Sequence, residues 1–481
     1  SRTQADALHK PVTRWGPRKS LSALRNEIRL MRSALKVVAV LIAVIASSIA
    51  GLSGWVALVR PEILQLATAY AAKVVCSNVF IAKRDIASIV QDDLLELGQP
   101  IFKYMKIDVN ATDQRVQASL FGLFPKKSAE YVEGRGCTIV ADSKTWNKLP
   151  PLPAPPTTEN DDLWPAGEKV LLSENERLRA ALKDPKLQGP GMRAIVVVHD
   201  GRIVAETYGQ GFTPSTPLLG WSMTKGVTAA LIGMAIKDGK LSVDQKKLFQ
   251  HWAEDARAEI SIADLLAMSV GLEWNEDADA INDPAKMEFL VKDAAAFARD
   301  RRSIASPGTK FYYSSAASVL LTRLWQNAVG ELASSYPRER LFKPLGMNNA
   351  VLEADETGTF LGEAFLYATA HDWARFAEFL RLGGKWNGQQ LLPAGFVDYM
   401  RTPLPTSDEG HGPVYGRGQV WLARGLGFNL PADTFMLLGH NHQAIAIIPS
   451  RKLVIVRMGS TREDVGYSVA SLLHAIAAAD L

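Results

Sequence analysis

Cysteine is scarce in this chain: Cys76 and Cys137 are the only two in 481 residues. At most one disulfide can form, and a four-cysteine metal cluster is excluded. Histidine is scarce too, with eight in all and none in a His-Glu-x-x-His pattern, so the helical zinc-hydrolase signature is absent. There is little net charge, +4 overall. That excess is confined to residues 1–36, which hold nine Lys/Arg against Asp6 and Glu27 and leave 45 basic against 48 acidic residues elsewhere. The body of the chain therefore has no basic excess for nucleic acid. Internal repeats are also missing, and the one biased tract is Pro150-Pro-Leu-Pro-Ala-Pro-Pro156, a stiff, extended connector. What remains, 47% hydrophobic and 22% charged residues, is the composition of a folded globular protein long enough for one large domain or two smaller ones.

Charge is absent altogether from residues 37–59, a run of 23. At 1.5 Å per residue such a helix spans the roughly 30 Å hydrocarbon core of a bilayer. Basic residues precede the run and only Arg60 follows it closely. The expected orientation puts residues 1–36 in the cytoplasm as a basic tail. The expected architecture is a single-pass anchor in the inner membrane, with the rest of the chain on the periplasmic, extracytoplasmic side. One rival reading is a cleaved signal peptide, because Ser48-Ile-Ala50 is a small-residue cleavage pattern; another is a buried core helix. Outside the cytoplasm Cys76 and Cys137 can pair; two free buried thiols are the alternative.

Residues 60–148 form a membrane-proximal extension, with helix-like stretches at 62–75 and 86–97 and a strand-like stretch at 109–120. A connector at 149–166 leads to a domain at 167–481. There the runs 194–199 and 202–208 meet at Asp200-Gly201, a strong hairpin signal. Helix-like segments follow at 261–269, 285–298, 316–328 and 370–382. Three strand-like runs, 418–422, 444–448 and 453–458, and a last helix at 465–479 close the chain. Strands at both ends with helices between predict an α/β fold, one sheet assembled from distant segments with an all-helical insertion against it.

The candidate chemistry begins at Ser222-Met-Thr-Lys225, after a strand-like run and at the head of an apolar helix. Residues at i and i+3 share a helix face. A serine hydroxyl needs an adjacent base to become a nucleophile, and a lysine serves only as the neutral amine, which burial beside Trp221 and Met223 favours. Spacing alone is weak, since Ser33-Ala-Leu-Lys36 fits it as well. Two further elements strengthen it. Pro307-Gly-Thr-Lys-Phe-Tyr-Tyr-Ser-Ser315 places Tyr313 in a loop before a helix, where a phenol beside a lysine can relay a proton. Gly439-His-Asn-His-Gln443 precedes a strand whose backbone N–H can meet an oxyanion. His440 and His442 on a strand would share a face and permit a metal, but no third ligand stands at a convincing spacing. Polar-loop histidines and core tyrosines are the plain alternatives.

Together, Ser222-x-x-Lys225, Tyr313-x-Ser315 and the 440–442 motif resemble the penicillin-recognising serine hydrolases, in particular the class C β-lactamase-like branch of 6-aminohexanoate-dimer hydrolases. The stretches Gly220-Trp-Ser-Met-Thr-Lys225, Leu265-Leu-Ala-Met-Ser-Val-Gly-Leu-Glu-Trp274, Pro344-Leu-Gly-Met347 and His371-Asp-Trp-Ala-Arg-Phe376 carry that likeness over about residues 167–481. Residues 61–148 resemble the N-terminal extension of membrane-tethered members. The resemblance implies a β-lactamase-like fold, an antiparallel sheet flanked by helices with an all-helical subdomain, here behind a transmembrane helix. It implies Ser222 as acylated nucleophile, Lys225 as base and Tyr313 as proton shuttle. Ser222 and Gln443 would supply oxyanion N–H groups. His440, Asn441 and His442 would occupy the third motif, with Ser315 in the second. The implied substrate is a small amide or ester, or a short peptide, with no cofactor and no metal. Two departures stand out: Ser315 replaces the commoner asparagine, which tilts away from β-lactams, and His442 stands where glycine is usual, which predicts a narrowed cleft. A D,D-peptidase or β-lactamase proper, and a non-catalytic binding protein on the same fold, are the other readings.

Overall fold

The computed structural model describes residues 20–59, 61–123, 125–141, 144, 146–153, 161–277 and 281–481, the side chains at 49, 50, 52, 53 and 55–59 excepted. It divides into residues 1–61 and a compact unit, residues 62–481. In the first, one helix runs Leu21–Val59, 39 residues, about 58 Å at 1.5 Å per residue and so longer than a bilayer core requires. The described part of the basic tail, residues 21–36, is thus continuous with the uncharged run; residues 1–19 lie outside the described residues. Within this helix Leu21–Ser48 is long and apolar enough to cross a membrane and carries no burial. The Glu62–Phe80 helix passes the same test but is mostly buried, as a core helix is.

In the compact unit, a four-stranded antiparallel meander (Met105–Asn110, Arg115–Leu120, Lys126–Val132, Gly136–Val140) lies against the Glu62–Phe80 helix. The expected single run at 109–120 is a hairpin. Asn110 Oδ1 accepts the Asp113 N–H at 3.0 Å, the local turn that Asn and Asp side chains favour. The 86–97 stretch becomes a short α-helix, Ile86–Ile89, followed by a π-helix, Val90–Leu95.

Six antiparallel strands make the central sheet, in the order Trp421–Leu422, Phe435–Gly439, Gln443–Ile448, Leu453–Gly459, Met192–His199, Arg202–Tyr208. Hydrophobic alternation fills both faces. Ala194, Val196 and Val198 enter one core with Trp373 and Phe376 of the Ala370–Arg381 helix. Ile195 and Val197 enter the other with Leu472, Leu473 and Ile476 of the Val469–Ala477 helix, as a period of two demands. The strand Phe435–Gly439 was not expected from the sequence, although Phe435-Met-Leu-Leu438 is an apolar run between Pro431 and Gly439. It is the strand that meets the candidate nucleophile. The helical part includes Thr224–Lys237, Asp283–Phe289, Ala294–Arg299 and Ser315–Val329. The expected 285–298 helix is interrupted because Asp293 caps a new one, accepting the Ala296 N–H at 2.9 Å.

The extension shares the core of the hydrolase-like part. Cys76 and Cys137 are bonded, their Cα atoms 6.1 Å apart, joining the Glu62–Phe80 helix to the meander. Buried Lys73 lies 2.8 Å from Glu353, and Arg193 donates to Asp93 at 2.7 Å. The described part of the proline tract runs along the meander: Leu152 N–H donates to Glu133 O at 3.0 Å and Arg135 to Pro150 O at 3.1 Å.

Candidate active site

Leu218–Leu219 pairs with Leu366–Ala368, and the chain then turns sharply. Gly220 sits so close to Trp373 that a β-carbon there would lie 2.1 Å from the indole. Trp221 takes φ +47°, a conformation costly for a bulky residue and often found at functional turns. A 3-10 turn, Trp221–Met223, carries Ser222 to the head of the Thr224–Lys237 helix. The turn aims the hydroxyl, and the helix brings Lys225 beneath it.

Lys225 is 2% exposed. Its Nζ is 3.0 Å from Ser222 Oγ, 3.2 Å from Ser315 Oγ and 3.0 Å from the Glu363 carbonyl. The carbonyl can only accept. Ser315 spends its own hydrogen on Glu276 Oε1 at 2.6 Å, so toward Lys225 it accepts as well. Two lysine hydrogens are therefore committed, and the third position of the amine faces Ser222. Burial opposes charge on this amine. Tyr313, when ionised, and the carboxylates of Glu276, Glu363 and Glu288 outweigh burial and hold its pKa above the ordinary lysine value. The sequence-based expectation was the reverse, a depressed pKa from apolar neighbours; it missed the acidic groups that the helical part brings in.

Two of those acids are themselves perturbed. Burial pushes Glu363 up to about 8, and neither of its carboxylate oxygens has a hydrogen-bond partner. Burial first and then Glu363 raise Glu288 well above the carboxylate range. Glu276 has its own set of hydrogen-bond donors. It accepts from the Ser315 hydroxyl, from the Ser315 N–H at 2.9 Å and from the Trp274 indole. No local pattern announces this residue, which lies 39 positions before Ser315.

Tyr313 presents its ring to Lys225, with Nζ 5.1 Å from the centroid. It stacks on Trp421 at 5.1 Å and meets Tyr415 edge-on at 6.1 Å. Trp221, also partly buried, packs edge-on against His440 at 5.7 Å, so aromatic rings crowd the surroundings of Ser222.

The third motif is displaced from its expected setting. His440, Asn441 and His442 form the turn between Phe435–Gly439 and Gln443–Ile448, with Asn441 and His442 at φ +63° and +58°. The two imidazoles therefore do not share a strand face. His440 stays beside Trp221, and the protein crowded around it lowers its pKa below the usual histidine value. Asn441 is buried and contributes, with Arg193, Asp93 and Gln443, to a cavity of about 20 Å³, room for one water. His442 packs edge-on against Tyr467 at 5.4 Å, with Nε2 3.1 Å from Glu463, an association that leaves it outside the cluster around Ser222. Gln443 is 3% exposed and its side chain donates to Leu219 O at 2.9 Å. The residue that presses on the nucleophile's turn is Gly439, where a β-carbon would stand 2.6 Å from Gly220 O and 3.3 Å from Met223. Close approach by a glycine is thus present, three positions before His442. Ser222, Lys225, Tyr313 and Ser315 come together; Gln443 and Asn441 lie behind them and His442 apart. Among the described residues, no group of three or more His, Cys, Asp or Glu is arranged to hold a metal ion.

A beta-lactamase family model matches residues 172–479. The chain belongs to the beta-lactamase family. It is a serine hydrolase of the penicillin-recognising superfamily and is related to the 6-aminohexanoate-dimer hydrolases. The 6-aminohexanoate-dimer hydrolase of Paenarthrobacter ureafaciens is 23% identical to this beta-lactamase-family chain over 338 residues, 64% of this chain and 82% of the relative. A candidate 6-aminohexanoate-dimer hydrolase from Bacillus anthracis shares the fold with a TM-score of 0.55 and 24% identity, over 64% of this chain and 86% of that one. A family VIII carboxylesterase matches with a TM-score of 0.51 and 15% identity, covering 64% and 98%.

Proposed function

We propose that this protein cleaves a small linear amide or ester through an acyl-enzyme on Ser222, from a single-pass anchor formed by its N-terminal helix. The observation that carries the reading is a fully buried lysine whose Nζ lies 3.0 Å from the Ser222 hydroxyl, the nucleophile–base contact that acyl transfer requires. Ser222 Oγ attacks the carbonyl carbon while its proton passes to Lys225, which serves as base only once its amine has been freed of its extra proton. The oxyanion is met by the Ser222 N–H and, in place of Gln443, by the main-chain N–H of His440, which follows Gly439 at the nucleophile's turn. Tyr313 hands a proton to the departing amine or alkoxide and then helps water attack the ester of Ser222.

Substrate class follows from the walls. Trp221, Tyr313 and Trp421, all partly buried, offer apolar ring faces and edges, with buried Tyr415 packed behind Tyr313. His440, in the place where the superfamily carries a lysine or histidine, is pushed toward its neutral form by burial. A neutral imidazole attracts the carboxylate of a β-lactam or a D,D-peptide weakly, which favours uncharged linear amides and esters. The Cys76–Cys137 bond fits an oxidising, extracytoplasmic location.

The test exposes the detergent-solubilised protein and its Ser222→Ala variant to a fluorophosphonate and compares intact masses. One adduct on the wild type and none on the variant is expected; no adduct on either overturns the reading. Nitrophenyl esters against a cephalosporin then separate the substrate classes, with turnover of the esters alone expected.

A further inference from the structure

Resting on the acyl-enzyme reading above, the geometry points to a proton relay: we propose that Glu276, through the Ser315 hydroxyl, takes the proton from Lys225 and so frees the amine that activates Ser222. Four polar atoms form a continuous chain. Ser222 Oγ is 3.0 Å from Lys225 Nζ, Nζ is 3.2 Å from Ser315 Oγ, and Ser315 Oγ is 2.6 Å from Glu276 Oε1. Each link is within hydrogen-bond reach, and the last is as short as a hydroxyl donating to a carboxylate becomes.

The direction of transfer follows from who donates. Ser315 already gives its hydrogen to Glu276 and accepts one from Lys225. Moving both hydrogens one link onward leaves Glu276 protonated, Lys225 a neutral amine and Ser315 a neutral hydroxyl turned about, its new hydrogen on the lysine side. Rotation about the Cε–Nζ bond by one staggered position, with the Ser315 hydrogen swinging away from the amine, then turns the lone pair to Ser222, while the two remaining hydrogens serve Ser315 and the Glu363 carbonyl. When the Ser222 oxygen bonds to the substrate carbon, its proton completes the ammonium again. Net, the O–H bond of Ser222 is broken, an O–C bond is made, and one proton rests on Glu276. No oxidant, metal or further reactant enters.

The titratable groups facing Lys225 are Tyr313, Glu276, Glu363 and Glu288. Of the three carboxylates, Glu276 alone among the described residues is joined to the lysine through hydrogen bonds; Glu363 offers Lys225 its backbone carbonyl. The relay also gives the second motif's departure a purpose. A serine hydroxyl accepts on one side and donates on the other, and so passes a proton along. The amide of the commoner asparagine holds its hydrogens and cannot. Glu276 touches no reacting atom, so it is a positioning residue that also stores a proton.

The test compares second-order rates of fluorophosphonate labelling at Ser222 from pH 6 to 10 in the full-length protein. Glu276→Gln keeps an acceptor for Ser315 but cannot take a proton. It is expected to label about 100-fold more slowly at neutral pH, with a rate that climbs about tenfold per pH unit as hydroxide empties the amine instead. Glu276→Asp should regain most of the loss. Ser315→Asn should lose a similar factor, and the double variant should be no slower than either single one, because both cut the same chain. If Glu276→Gln does not fold, the Ser315→Asn profile decides alone. Labelling within about threefold of wild type with an unchanged pH profile, labelling faster than wild type because the Glu276 charge only held the ammonium in place, or losses that multiply in the double variant, overturns the relay and leaves the acyl-enzyme standing. A wild type that takes no label overturns the acyl-enzyme reading, and the relay with it.

Discussion

Two lysines are buried in this protein to nearly the same degree, and their surroundings are opposite in kind. Lys73, in the extension, is 1% exposed and stands 2.8 Å from the Glu353 carboxylate, with the Cys137 carbonyl as a second acceptor. Its partner is itself fixed by Ser77 and by the Cys137 N–H. Lys225 is 2% exposed, yet its three neighbours are two hydroxyls and a carbonyl, and its carboxylates lie one group further away. A direct ion pair in a dry interior traps the proton, because moving it would leave two mismatched groups without water. A hydroxyl between amine and carboxylate keeps the charges close enough to hold the ammonium and leaves a path for the proton to leave. What sets Lys225 apart from Lys73 is therefore what its nearest atoms are, not how deeply it is buried.

The comparison can be broken in four ways. Lys225→Ala should slow acylation of Ser222 by about 10³-fold in protein that still folds; full labelling by that variant would remove lysine from the reaction. Lys73→Met should do the converse. Glu353 would be left buried and unpaired at a cost of about 3–5 kcal/mol, read as a large drop in the denaturation midpoint, while the folded fraction labels at the wild-type rate and with the same pH profile.

His371 belongs with Lys73, because it is clamped directly by Glu168 at 2.7 Å and Glu206 at 2.6 Å. Burial opposes its charge, but the two carboxylates outweigh burial and lift its pKa to about 9. A raised pKa means stabilisation that is complete below the unfolded value near 6.5 and is lost as the pH rises through 9, about 3 kcal/mol in all. Melting temperature should fall over that window in the wild type, and His371→Gln should flatten the fall; an equal fall in the variant would contradict the assignment. The smallest effect is expected at His442, which faces Tyr467 and Glu463. His442→Gly should alter selectivity between bulky and small esters by less than about twofold, and a broadened range would restore the gating role its position in the motif suggested.

How far the site was legible depended on separation along the chain. Ser222 and Lys225 are read from one helical turn, and Tyr313 and Ser315 from one loop, because local spacing decides which side chains can meet. The fold class was legible from alternating and helical hydrophobic patterns at both ends of the domain. Glu276 was not, since its only mark is a contact made across the fold. The strand Phe435–Gly439 was not legible either, because a run of four apolar residues, Phe435–Leu438, is too short to separate strand from loop by periodicity.

The amino-acid sequence by itself determined the uncharged N-terminal run, the candidate serine–lysine pair, the two sheet faces and the family these imply, because each is written in neighbouring residues. Only the tertiary structure decided the protonation of Lys225, the partner of Ser315, the exclusion of His442 from the cluster and the fusion of the extension with the hydrolase core. Those rest on charges and backbone atoms brought together from distant segments, where burial strengthens every electrostatic contact and a few ångströms set its sign.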